Sequence, residues 1–380
     1  MTYEFLQHYW WFLIAVLAAI LVFLLFVQGA NSLIFSLGRN EEERRLVINS
    51  TGRKWEITFT TLVTFGGAFF ASFPLFYATS FGGAFWLWTI VLVSFVLQPI
   101  SYEFQNKAGN LFGARTFQIF LVINGIVGPL MLGGAIGTLF EGADFYIDKD
   151  NITNELQPVI CRWANDWHGI DALFNPWVLV FGIMVLFMSQ MLGSLYIMNN
   201  VNDEEIRSRA SDRLVEVTIG FIILLFIYLA HLMLKDGYAW HPDTHEVYLV
   251  PNKYWHNILE MWYLLAMLLI AEALILVGVI RTLLGKTYLG GIWPVSIGVV
   301  LAVVALILCA GWNHTVYYPS NVDLQASLTI ANSCASEFSL RAMAYLSFVI
   351  PFVITYIVIA WRKIDSKKLE KEDIWRDDAY

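Results

Sequence analysis

Long apolar runs alternate with short polar stretches along the whole of this 380-residue chain. A helix needs about 20 mostly apolar residues to cross a bilayer. Nine runs meet that length, over approximately 9–35, 57–79, 81–100, 116–140, 175–198, 215–234, 258–281, 290–312 and 340–361. Between the first two lies a charged strap, SLGRNEEERRLVINSTGRKWE (36–56), whose polarity predicts a segment held in water. The opening MTYEFLQHYWWF lacks a basic n-region, and the run continues without an A-x-A site, so it reads as a retained first helix. The pattern predicts an all-α integral membrane protein of about nine spans.

Composition agrees with that pattern. The chain is 58% hydrophobic and 14% charged, with a mean hydropathy of +0.61, more apolar surface than a soluble domain needs. A net charge of -8 with no basic cluster beyond the span flanks argues against a nucleic-acid partner. Lys and Arg stay on the cytoplasmic side of membrane spans. With the N-terminus outside and the C-terminus in the cytoplasm, the inner segments hold 18 of the 23 Lys and Arg and the outer ones 5. Outer loop 141–174 then separates a first four-helix group (1–140) from a second (175–312). An outer loop, a ninth helix and a tail follow (313–380).

Small residues four apart, Gly67 with Ala71 and Gly133 with Gly137, predict close helix contacts. Gly285-Lys286-Thr287 is not a phosphate loop, because the required first glycine is Ile280.

Polar side chains inside spans are expensive and want a reason. Gln28 and Asn31 share a helix face near the inner end of the first span, Glu56 opens the second, and Gln98 and Glu103 bracket the exit of the third. These form either a polar patch for protons or a quinone headgroup, or a set of interfacial residues reaching water. Glu272 lies mid-span with no basic residue within a turn, rotated away from Glu260. Among ligand types for a haem, only His231 and scattered methionines reach membrane depth, which argues against haem and metal in this chain. His241, His245, Glu246 and His256 share one outer loop without a helical setting, so a solvated loop fits them better than a metal site. Cys161 and Cys334 both fall in outer loops and are candidates for a disulfide, while Cys309 lies in the eighth span.

The strings LGRNEEERRLVINS and FGGAFFASFPLFY (within 37–77), QPISYEF, FNPWVLVFG with Gln190 and Tyr196, and QASLTIANS (325–333) resemble subunit II of the cytochrome bd-type quinol oxidases. The resemblance implies a haem-free subunit with two four-helix bundles and one further helix in the bacterial cytoplasmic (inner) membrane. Its partner, subunit I, would carry haems b and haem d. The implied reaction is quinol oxidation coupled to reduction of oxygen to water, with protons drawn from the cytoplasm. A bound quinone and a small single-helix accessory subunit are compatible with it.

The chain departs from that family where it has Gln28-Gly29-Ala30-Asn31 for an acidic motif, Lys54-Trp55-Glu56-Ile57 for a WDGN-type motif, and Gln98-Pro99 at the third-span exit. An amide cannot release a proton at physiological pH. Either Glu56, Glu103 and waters form a shortened proton route, or protons enter through subunit I. The alternative to an oxidase subunit is a proton-coupled secondary transporter using Glu272, and a third reading is an inert scaffold for the partner's haem-bearing helices.

Overall fold

A computed structural model describes residues 2–107, 109–285 and 288–375 of the chain. Lys286 and Arg376, counted above among the inner basic residues, and Thr287 lie outside the described residues. Among the described residues, eight helices are long and apolar enough to cross a membrane: Tyr3–Ser32, Phe85–Phe104, Ala114–Glu141, Pro176–Asn200, Glu204–Leu234, Trp262–Leu284, Ile292–Gly311 and Glu337–Ile364. A ninth span, second in chain order, is broken. Trp55–Ser72 and Pro74–Gly82 meet at 117°. The residue before a proline is pushed out of the helical region, and Phe73 accordingly adopts φ -130°, ψ 66°. The second span therefore ends at Ser72 and not near residue 79.

Tyr3–Ser32 is the axis of the molecule. It packs against the second, fourth, fifth, eighth and ninth spans, while the third packs on the fourth, the sixth on the fifth and the seventh on the eighth. Glycines set the closest approaches. A Cβ on Gly29 would lie 1.8 Å from Ser189 O, and one on Gly193 would lie 2.3 Å from Ala30 N. Without side chains at these two positions the first and fifth spans meet backbone to backbone. Gly133 and Gly137 pack the fourth span on the fifth as expected, the former against Val185 and Gly182. Gly67 behaves differently. It is exposed, with nothing within 4 Å of its Cβ direction, so it makes no close helix contact in this chain.

The connecting segments sort to two ends. At one end the strap forms a helix, Glu41–Gly52, whose Asn40 cap accepts from Glu43 N. The strap is not simply solvated. Leu46, Val47, Ile48, Asn49, Ser50 and Thr51 are buried, because LVI supplies an apolar face that the tail covers: Lys371–Trp375 packs on the strap helix and Leu369 bridges to Val201. At the other end β1 (Phe145–Ile147) pairs with β2 (Cys161–Trp163), and β3 (Gly237–Trp240) with β4 (Val247–Val250). Ala143 bridges Ser320, so loop 141–174 closes onto the later outer loop and does not behave as a free linker. Tyr317 and Tyr318 are buried beneath it, Tyr317 at 4.4 Å from Trp11 between ring centroids.

The crossing of the first and fifth spans gives a direct test. Gly29→Ala is expected to destabilise the folded protein by about 1–3 kcal/mol, the usual cost of overpacking, seen as a lowered thermal midpoint. Gly67→Ala is expected to leave the midpoint unchanged.

Candidate functional site

The third span carries Ser94, Gln98, Tyr102 and Gln105 on one buried face, because steps of three or four residues return a helix to the same side. Their partners come from three other elements. Asn124 Nδ2 of the fourth span donates to Ser94 O at 3.1 Å. Gln28 Nε2 donates to Gln98 Oε1 at 3.2 Å. The Tyr102 hydroxyl lies 2.9 Å from both Asn31 Oδ1 and Thr51 Oγ1, and Thr51 Oγ1 donates to Asn31 Oδ1 at 3.0 Å. Gln105 and, on the strap helix, Asn49 are buried at the same end. The result is a ladder of amides and hydroxyls about 16 Å long at 1.5 Å per residue.

The ladder is incompletely satisfied by the protein. Gln28 Oε1, Asn31 Nδ2, Gln98 Nε2, Asn124 Oδ1 and both side-chain polar atoms of Asn49 and Gln105 are buried without a protein partner. A buried polar atom left unpaired costs about 1–3 kcal/mol. Eight such atoms together would cost about 8–24 kcal/mol, as much as the whole stability of an ordinary fold or more. Internal water satisfies such groups, each molecule making about three hydrogen bonds.

The structure thus brings together Gln28, Asn31 and Gln98, and leaves out the carboxylates expected beside them. Glu56 and Glu103 are exposed on the outer surfaces of their spans and do not face the ladder. Glu103 adjoins the buried Tyr102 and Glu56 lies two residues from the buried Lys54, and each residue turns a helix by about 100°. Glu272 is half-buried on the seventh span, well apart from the ladder, with no hydrogen bond or ion pair among the described residues. Glu260 pairs with Asn313 instead, at 2.5 Å.

Two ionic clusters escaped the sequence. Lys54 is fully buried, its Nζ 3.0 Å from Asp365 Oδ1 and 4.3 Å from the centre of the Trp361 ring. Asn200 ties this pair to the strap, donating to Asp365 at 3.2 Å and accepting from Ser50 Oγ at 2.7 Å. Burial pushes the Lys54 ammonium below its usual range, and the Asp365 carboxylate opposes that shift. In sequence Lys54 was one more basic residue of the strap, and only its place beside Trp55 hinted at an interior position.

At the opposite end Glu141 accepts from Lys235 Nζ at 2.8 Å and lies 3.1 Å from His231 Nε2, whose ring stacks on Trp177 at 3.7 Å. Some ninety residues separate the partners, so no local signal could pair them. His231 thus has one ring nitrogen on Glu141 and one face on Trp177. No group of three or more His, Cys, Asp or Glu suited to a metal occurs among the described residues. The His241, His245 and Glu246 stretch is instead held by backbone bonds, His241 N to Glu246 O and His245 N to His241 O.

Between the spans lies an apolar cavity of about 90 Å³, lined by residues that include Phe65, Phe69, Leu132, Phe181, Met188 and Phe221, with Ser80 as a polar member.

The family profile "Cytochrome bd terminal oxidase subunit II" matches residues 6–364. The chain belongs to this family. It is 26% identical to "Cytochrome bd-I ubiquinol oxidase subunit 2" of Escherichia coli K12, over 99% of this chain and 98% of that one. It is 28% identical to "Probable cytochrome oxidase subunit 2" of Haemophilus influenzae, over 93% and 91%. Against "The structure of bd oxidase from Geobacillus thermodenitrificans" the TM-score is 0.61 at 13% identity, covering 97% of this chain and all of that one, a likeness of fold. As a bd-oxidase subunit II the chain is part of a respiratory quinol oxidase, an oxidoreductase complex with subunit I.

The candidate Cys161–Cys334 disulfide is not formed in this structure. Both thiols are free, Cys161 at 3.2 Å from Thr79 Oγ1 and Cys334 at 3.0 Å from Tyr3 OH and 3.1 Å from Gln7 Nε2. The two loops place these cysteines against different helices. All three cysteines should therefore be alkylated after denaturation without reductant, read as three adducts by intact-mass analysis, whereas a disulfide would leave only one.

Proposed function

We propose that this chain is the haem-free half of its oxidase, which supports the haem-bearing subunit I and conducts protons to it from the cytoplasm through the Ser94–Gln105 ladder. The haems of subunit I supply electron transfer and the reduction of oxygen. The strap, the tail and the start of the sixth span share one end, and the basic residues concentrated there support its assignment to the cytoplasm of a bacterial cell. The halves 1–140 and 175–312 read as two bundles sharing the first span as a common wall.

The observation that carries the proton reading is the row of unpaired buried polar atoms in the ladder. Neutral amides and hydroxyls cannot themselves act as acids, but they hold water in single file, and water passes protons by exchanging donor and acceptor roles. The amides at 28 and 31 thus keep a wet path where the family motif has carboxylates. Its limit is apolar: beyond Asn124 the neighbouring core is Phe95, Leu132 and the dry cavity.

The cavity supports a bound isoprenoid chain and not a site of quinol oxidation. A quinone headgroup needs hydrogen-bond partners at its carbonyls, and Ser80 is the polar side chain lining this space. Glu272 remains outside both features. A proton-coupled transporter would place several midplane polar groups around a shared site, and Glu272 has none bonded to it among the described residues.

Asn124→Leu, which dries the inner end of the ladder, is expected to slow quinol-driven oxygen consumption by the assembled complex severalfold with its haem content unchanged. Glu56→Gln and Glu103→Gln are expected to leave it at the wild-type rate. Full turnover in Asn124→Leu would place proton uptake elsewhere.

A further inference from the structure

We infer that Lys54 is the proton-exchanging group at the cytoplasmic end of the ladder, and that Asp365 of the C-terminal segment feeds it. The inference rests on the proton-conducting role proposed for the ladder. That ladder contains amides and hydroxyls only, so it can pass a proton but cannot hold one. A group that changes charge has to stand beside it, reachable from water on one side and from the ladder on the other.

Lys54 occupies that place. Its backbone N–H donates to Thr51 O at 2.9 Å, so it sits one turn from the hydroxyl that joins Asn31 and Tyr102. Its side chain is fully buried, whereas the Asp365 side chain is 20% exposed. The pair thus joins a shielded cation to a carboxylate that touches water. The ammonium has three N–H donors and lies 3.0 Å from Asp365, but none is well aligned on an acceptor of the protein. Burial disfavours the charged form of this amine, and a carboxylate at contact keeps it from being lost altogether. A lysine so placed changes protonation near working pH more readily than a solvated one.

The other groups facing Lys54 are few. Span nine contributes Trp361, on which Phe26 of span one packs, and both are uncharged rings. Span five contributes Tyr196, whose hydroxyl donates to Ser50 O at 3.2 Å. The chain itself contributes Arg53, a second cation that favours release of the proton, and Tyr102 lies beyond Thr51. Asp365 is thus the anion paired with Lys54. In the proposed step the Nζ–H bond of protonated Lys54 breaks and the proton passes to the hydroxyl and water network at Thr51. The Asp365 carboxylate then takes a proton from cytoplasmic water and passes it to the neutral amine, which restores the ammonium–carboxylate pair. No net charge is stored after each cycle.

The assignment separates charge from exchange, and arginine tests the difference. Lys54→Arg keeps a cation beside Asp365 and over Trp361, but a guanidinium does not deprotonate in proteins. In the complete oxidase, Lys54→Arg is expected to slow oxygen consumption at least about tenfold, the scale of a lost proton-transfer group. Haem content and recovery of subunit I are expected to stay unchanged. Lys54→His, which restores a titratable nitrogen, is expected to recover most of the rate and to shift the pH profile of turnover toward acid. Wild-type turnover in Lys54→Arg would overturn the assignment and leave Lys54 as a structural ion pair. If Asn124→Leu is slow while Lys54→Arg is not, the ladder stands and Lys54 is excluded. If neither is slow, proton uptake through this subunit falls with it.

Discussion

The first and fifth spans touch at bare backbone, and the rest of the subunit is arranged around that contact. Gly29 against Ser189 and Gly193 against Ala30 leave no room for a side chain on either helix. The fourth span closes in from another side, where a Cβ on Gly125 would lie 2.5 Å from Gln28 O. In lipid, where apolar surface gains little by leaving the solvent, such close packing is what holds helices together. It also fixes where the side chains of the first span can go. Gln28 and Asn31 are directed toward the third span and the strap, and there they meet Gln98, Tyr102 and Thr51.

That placement explains how amides can stand at this depth. An ionised carboxylate at this depth needs a cation or several donors to offset its desolvation. An amide keeps both a donor and an acceptor and carries no charge, so it can line a narrow wet path with a smaller penalty. The charge that the path lacks is found at its end, in Lys54 and Asp365, which also dock the tail onto the strap. One ion pair thereby serves both the docking of the tail and the chemistry proposed for it.

Much of this was legible in the sequence because lipid imposes a length and a polarity on every span. Eight spans and the sorting of basic loops follow from that rule, and so does the shared face of Gln28 and Asn31. The break at Phe73 was signalled by Pro74, but hydropathy alone runs through it because both arms are apolar. Glu56 and Glu103 were misplaced for a simpler reason. Near a helix end a difference of one residue turns a side chain by 100°, and no pattern there says which side is buried. Lys54 was hidden by its company: among the strap's cations nothing local marks the one that the tail, three hundred residues later, covers with Asp365. The Glu141–Lys235 pair and the separation of Cys161 from Cys334 likewise depend on how distant loops close over the outer end.

The account turns on water standing among side chains that the protein alone does not satisfy. A map of the assembled oxidase fine enough to show ordered water tests it most directly. It should contain water peaks within hydrogen-bonding distance of Gln28 Oε1, Asn31 Nδ2 and Gln98 Nε2, continuing toward Thr51. A dry seam in which these amides turn to bond one another, with no density between them, would contradict it.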